Sequence, residues 1–378
     1  MKLVRSLIAA AVALAAATAA FADVNVGVVL SLTGPGSGLG IPMQKQLALF
    51  PKEIAGQKVN LIILDDASDP GKGVSDTRRL ITEDKVDLIL GSCLTPVAAA
   101  MAPVTAENKT LQVAASPVGV PPGQDQWLFR LPQGNDVMAH AMFQNMKKQG
   151  IKTIGFLGYT DAYGELWLKA ATAEAEKNGM KIIAAERFAR TDTSVTPQAL
   201  KLTSANPDAM IVVASGSGAA MPEMAIVERG YKGKIYQTHA AATPDLVRIG
   251  GKDVEGTFVV SGPAVVAENL PDNHPSKKTA VDFVTRFEQA NGPGSRNQFA
   301  GHSYDFAIVM EKIVPVALKK AKPGTPEFRA ALRDAMEGMG RTIFSHGVMN
   351  WTATDHWGYT NETGVMLQVK DGKFVVAQ

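Results

Sequence analysis

Ser92 and Thr95 lie three residues apart, and with the pair Ala115-Ser116 they place hydroxyls and backbone N–H groups where two apolar runs end. Donors of that kind at the start of a helix can hold a carboxylate, and the helix dipole adds to the attraction. Thr95 ahead of Pro96 equally fits a plain helix N-cap. His239 stands in Thr238-His239-Ala240-Ala241-Ala242, with no acidic residue before Asp245. An imidazole donates to a carboxylate, phenol or carbonyl oxygen, and when protonated it repels a cation. His302, beside Ser303 and Tyr304, is a second donor of this type. Either histidine also fits a purely structural role.

Bond-making chemistry finds no support. There is no Gly-x-Ser-x-Gly elbow, no paired-cysteine metal spacing and no His-Glu-x-x-His, so neither an enzyme, a metal nor a cofactor is expected. Residues 33–40 contain Gly34, Gly36, Gly38 and Gly40, but Leu39 stands where the last glycine of a Gly-x-Gly-x-x-Gly frame belongs. A tight turn fits better there than a phosphate cradle. Cys93 is the only cysteine, so no intramolecular disulfide forms. Its apolar setting reads as core, not as a reactive thiol.

The elements that must position these groups alternate. Strands are expected at 24–30, 59–64, 86–90 and 111–115, with helices at 73–85 (Val74, Leu80 and Ile81 turned inward) and 96–108. After a helix at 135–150 a second series follows, with strands at 151–157, 181–188, 209–214, 235–238 and 257–260 and helices at 163–178, 197–204 and 219–230. Helices at 277–291, 299–321 and 326–336 precede a tail whose Asp371-Gly372 sits between alternating strands, a hairpin signal. Apolar strands alternating with amphipathic helices imply an α/β fold with parallel sheets covered on both faces. Ligands of such sheets bind at the strands' carboxyl ends.

Residues 1–22 read as an export signal: Lys2 and Arg5, an apolar run, then Ala20-Phe21-Ala22. Asp23 follows in place of the cysteine that a lipid anchor needs, so a released periplasmic protein is expected. Of the 378 residues, 356 remain, carrying 36 basic and 36 acidic side chains. That balance argues against nucleic acid and against adhesion to anionic membrane.

Ordered motifs now carry a resemblance. They are 26–35 (Val-Gly-Val-Val-Leu-Ser-Leu-Thr-Gly-Pro), 64–70 (Leu-Asp-Asp-Ala-Ser-Asp-Pro), 86–92, Ala115-Ser116, Asp161-Ala162-Tyr163-Gly164 and Gly301-His302-Ser303-Tyr304-Asp305. Together they resemble the type I periplasmic solute-binding proteins of ATP-driven importers, in the branch for branched-chain amino acids. The resemblance implies a monomer of two lobes, each a mainly parallel sheet flanked by helices, that close over a small solute and then dock on a membrane permease. It places residues 23–138 with 264–345 in one lobe and 139–263 with 346–378 in the other.

By the same resemblance Leu39 stands beside the ligand, Ser92, Thr95, Ala115 and Ser116 hold its acid group, Tyr163 covers it and Phe299 walls it. Amino-acid-binding relatives carry a carboxylate near position 239 that pairs with the ligand's ammonium; here His239 replaces it. Ser215, Gly216 and Ser217 leave room where relatives place bulk. A carboxylate lacking an amine, such as an aromatic acid, is therefore the expected solute. A branched-chain amino acid and a sensor presenting its closed form to a receptor are the alternatives.

Overall fold

Val24–Leu30 (β1) is buried at every position but Asn25, as expected for a strand with neighbours on both sides and layers above and below. The structure is a computed structural model that describes residues 23–377; the expected export signal at 1–22 lies outside the described residues. Around β1 are Glu53–Ile54 (β2), Gln57–Asp65 (β3), Leu88–Gly91 (β4), Leu111–Ala114 (β5) and Leu128–Arg130 (β6), in the order β2-β3-β1-β4-β5-β6. All pairings are parallel except that of the short edge strand β2.

The second sheet contains Thr153–Tyr159 (β7), Lys181–Phe188 (β8), Ala209–Val213 (β9), Lys234–Gln237 (β10) and Phe258–Ser261 (β11), all parallel. A small hairpin, Thr342–Phe344 (β12) with Gly347–Met349 (β13), stands apart. The tail strands Val365–Lys370 (β14) and Lys373–Val376 (β15) then add antiparallel to β11, giving the order β15-β14-β11-β10-β9-β7-β8. Asp371 and Gly372 both have positive φ, 51° and 68°, the two-residue turn that suits a twisted hairpin.

The chain passes between the sheets after β6, after β11 and again before β14. The Asn135–Lys148 helix packs on β11 and β14, whereas Gln298–Leu318 returns to pack on Ser37–Leu47 beside the first sheet. Among the described residues no helix is long and apolar enough to cross a membrane.

Two expectations need correction. Strand β6 was not foreseen, because Leu128-Phe129-Arg130 is too short to show a period. The expected 73–85 helix runs Pro70–Thr82, capped by the Asp69 carboxylate, which accepts from Lys72 N–H. Its buried face is Gly73, Asp76, Thr77 and Leu80, with Val74 and Ile81 only partly covered.

Glu223 is fully buried in the second lobe, accepting from Gln237 Nε2 at 2.8 Å and from the Thr257 hydroxyl. Burial pushes its carboxyl up from 4.5 to about 7 against those two bonds. Folding therefore binds a proton between these values. The contribution is fully present below 4.5 and is lost as pH rises through about 7. Thermal midpoints measured between pH 6 and 8 should fall with pH in the native chain and fall less in Glu223→Gln; equal slopes would contradict this assignment.

Candidate functional site

A small cavity lies between the carboxyl ends of the two sheets. Leu39, from the helix after β1, is in its wall, with Thr95 after β4 and Ala115 and Ser116 after β5. From the opposite sheet come Tyr163 after β7, Ser215 after β9 and His239 after β10. Phe299 and His302 enter from the first two turns of the Gln298–Leu318 helix. Parallel strands aim their carboxyl ends and the helix starts beyond them the same way, so two facing sheets deliver both sets into one space. The cavity is nearly shut: Leu39, Thr95, Tyr163, His239, Phe299 and His302 are each at most 4 % exposed.

The Ser37–Leu47 helix touches the Gly216–Ala219 turn of the other sheet. Gly216 has φ +52°, and a Cβ there would come within 2.8 Å of Leu39 Cδ1. Only glycine satisfies both the turn and the approach.

Ser92 is the one expected contact that does not reach the cavity. Its hydroxyl donates to Asp66 Oδ2 at 2.6 Å, and Ser31 donates to Asp66 Oδ1 at 2.6 Å. The Ser92 carbonyl in turn accepts from Ser116 Oγ at 3.0 Å. Asp66 thus ties the ends of β1, β3 and β4 into one floor, and burial holds its carboxyl above the usual range despite the two hydroxyls. Thr95 is not the helix cap. The cap position is Leu94, without a side-chain bond, and Thr95 begins the helix with its side chain toward the cavity. Asp161 does cap its helix, accepting from the N–H groups of Tyr163 and Gly164.

Arg190, unforeseen in the sequence, also lines the cavity. It follows β8, and its guanidinium lies 4.0 Å from the centroid of Tyr159 and 5.9 Å from that of Tyr163. Nε donates to Asp161 Oδ2 at 2.5 Å and Nη1 to Ser215 Oγ at 2.8 Å. The stacked, doubly tethered guanidinium is held in place ahead of any ligand. No carboxylate side chain is among the residues lining the cavity.

The histidines are neutral donors or acceptors here. Burial, with His346 nearby, pushes His239 down to about 3, and its Nδ1 has no partner. The His302 imidazole is driven well below its ordinary value by burial, then by His346 and His239, and both its nitrogens lack partners. His302 stacks on His346 at 4.2 Å, and His346 Nδ1 lies 2.9 Å from Asp305 Oδ2. The His302 and His346 rings are only 29° from parallel, so their lone pairs do not converge on one ion, although Asp305 lies close to both.

Nothing in the cavity pairs a nucleophile with a base. The Tyr163 hydroxyl donates to Thr238 Oγ1 at 2.8 Å, and burial pushes the phenol up. Cys93 is in the wall, its thiol pushed up to about 12 by burial and then by Asp66. What the site offers is a fixed cation, neutral imidazoles, hydroxyls and apolar walls, a set for binding.

Replacing Asp66 with Ala strands two buried hydroxyls and should cost about 2–3 kcal/mol in denaturant unfolding, with Asp66→Asn losing less. A loss under about 0.5 kcal/mol would show that the floor does not depend on this carboxylate.

A family model described as periplasmic binding protein matches residues 23–373. An extracellular ligand-binding receptor from Rhodopseudomonas palustris is 45 % identical, with TM-score 0.92 over 94 % of this chain and 99 % of that one. A Leu/Ile/Val-binding protein homolog 3 from Brucella melitensis is 27 % identical over 61 % of this chain; the match spans 62 % of that relative's length. A solute-binding protein of an ABC transporter from R. palustris, in complex with benzoate, shares the fold at TM-score 0.79 and 19 % identity, over 94 % of this chain and 95 % of that one.

Proposed function

The chain belongs to the periplasmic binding protein family, and we propose that it captures a small carboxylate lacking an amine for an ATP-driven importer. The observation that carries this reading is the make-up of the cavity wall: Arg190, whose Nε is paired with Asp161, is its one charged side chain, and no carboxylate lines it. A ligand ammonium shut in that space would have no anion to face, which is costly in a low-dielectric site. A ligand carboxylate meets the guanidinium from one lobe and, across the cavity, the Thr95 side chain and the backbone at Ala115 and Ser116. Ser116 already donates its hydroxyl proton to Ser92, so its backbone N–H is the better donor.

Leu39, Phe299 and Tyr163 supply flat and branched apolar surface for the rest of the molecule. Those surfaces suit the ring of a single-ring aromatic acid. The fold of the benzoate-bound relative admits that class of ligand.

Binding works through closure. Residues 23–138 with 264–345 and residues 139–263 with 346–378 act as the two lobes, and only the shut form offers contacts from both. Ligand shifts the population toward it by its differential affinity. The protein works as a monomer in the periplasm, and its permease partner reads the shut form.

A thermal-shift panel of benzoate and related aromatic acids against leucine, isoleucine and valine tests the reading. An acid at 100 times its Kd should stabilise the protein by about 2.7 kcal/mol. Arg190→Ala should weaken acid binding by about 10- to 100-fold, the worth of a charge-assisted bond. His239→Ala should weaken it less, without unfolding the chain. Midpoints raised by the amino acids alone would overturn the reading in favour of a branched-chain amino acid.

A further inference from the structure

We propose that shutting the cleft expels a proton from each of His239 and His302, so that this protein captures its ligand at neutral pH and releases it in acid. The inference rests on the two-lobed reading above and on the packing of a histidine cluster at the junction. His239 leads out of β10 in one sheet, and His302 rises from the helix that packs beside the other. Both line the same cavity and are at most 2 % exposed.

Neither imidazole is hydrogen-bonded to a carboxylate, although Asp305 lies within 4.8 Å of His302. The groups facing His302 are Asp305 on its own helix, His346 on the β12–β13 turn, His239 after β10, and Tyr163, Arg190 and Cys93 across the cavity. Asp305 is already committed: Oδ1 accepts from Ser345 N–H at 2.7 Å and Oδ2 lies 2.9 Å from His346 Nδ1. The buried Tyr359 phenol lies beyond it, within Asp305's electrostatic reach. Tyr163 is held neutral by burial and bonded to Thr238, and Cys93 stays a thiol.

His239 is enclosed by Tyr163 at 6.0 Å and Trp167 at 5.8 Å between ring centroids, neither of them a counter-charge. Arg190 adds its positive charge to the same wall. The Asp161 carboxylate paired with Arg190 sits at the rim and spends its other oxygen on the helix start.

Burial is the largest cause holding both imidazoles neutral in the shut form. In an open cleft they meet water and return toward an ordinary value near 6.5. Below that value the open form binds protons that the shut form must release, so acid favours opening. For two such groups the apparent affinity should fall about a hundredfold at pH 5.5 relative to pH 7.5, and about tenfold for one.

Calorimetric titration of benzoate into the mature chain at pH 7.5, 6.5 and 5.5 measures this directly. The expected result is a roughly hundredfold loss in the native chain, reduced to about tenfold in His302→Gln. Histidine ¹⁵N spectra of the ligand-free chain give a second measurement that needs neither a variant nor a ligand. There, His239 and His302 should titrate near pH 6.5. Affinity that is constant or tighter toward pH 5.5, or imidazoles that stay neutral in the ligand-free chain down to that pH, would overturn the inference. Failure of benzoate to bind at pH 7.5 would count against the ligand reading alone, and the ligand-free spectra would still decide the proton release.

Discussion

A charge enclosed between two protein lobes must meet an opposite charge, and the one charged side chain in the wall of this cleft is Arg190. Arg190 is stacked on Tyr159 and tied to Asp161 and Ser215, so its orientation is fixed before any ligand arrives. Those two bonds orient the guanidinium without closing it off, because the residue still lines the cavity. Everything else in the wall is neutral: hydroxyls, two imidazoles held unprotonated by burial, and apolar surface. On the reading proposed above, that wall favours an acid over an amino acid, with shape complementarity secondary.

The scaffold makes that wall possible. Each lobe is a mainly parallel sheet whose parallel-strand ends and helix starts point at the other lobe. Asp66 joins three strand ends of the first lobe, and Asp161 joins a helix start to the arginine in the second. Both carboxylates belong to the framework: one is sealed under the floor and the other sits at the rim, outside the wall. Close contact between the lobes then depends on Gly216, where any side chain would strike Leu39. Cavity-lining residues supported in this way are held in position.

Much of the architecture was legible because buried parallel strands are nearly continuous apolar runs. Val24–Leu30, Leu88–Gly91 and Ala209–Val213 stand out in that way, and Asp371-Gly372 announced the terminal hairpin. Nine of the ten residues expected at the ligand line the one cavity, since each lies at or near a strand end or on a helix whose motif marked it.

What stayed hidden depended on contacts distant in sequence. Ser92 is drawn down to Asp66, 26 positions away. Arg190 gave no signal, because it follows an edge strand whose alternating burial says nothing of where the chain turns next. Thr95 had the right type for a cap but sits one residue inside the helix. Three-residue β6 was too short to carry a period.

The most direct measurement is a calorimetric comparison of 3-phenylpropanoate with phenylalanine, which share a skeleton and differ by the amine. A cleft whose wall holds Arg190 and no carboxylate should bind the acid and give no measurable heat with the amino acid. Phenylalanine binding as tightly as the acid, or more tightly, would contradict it.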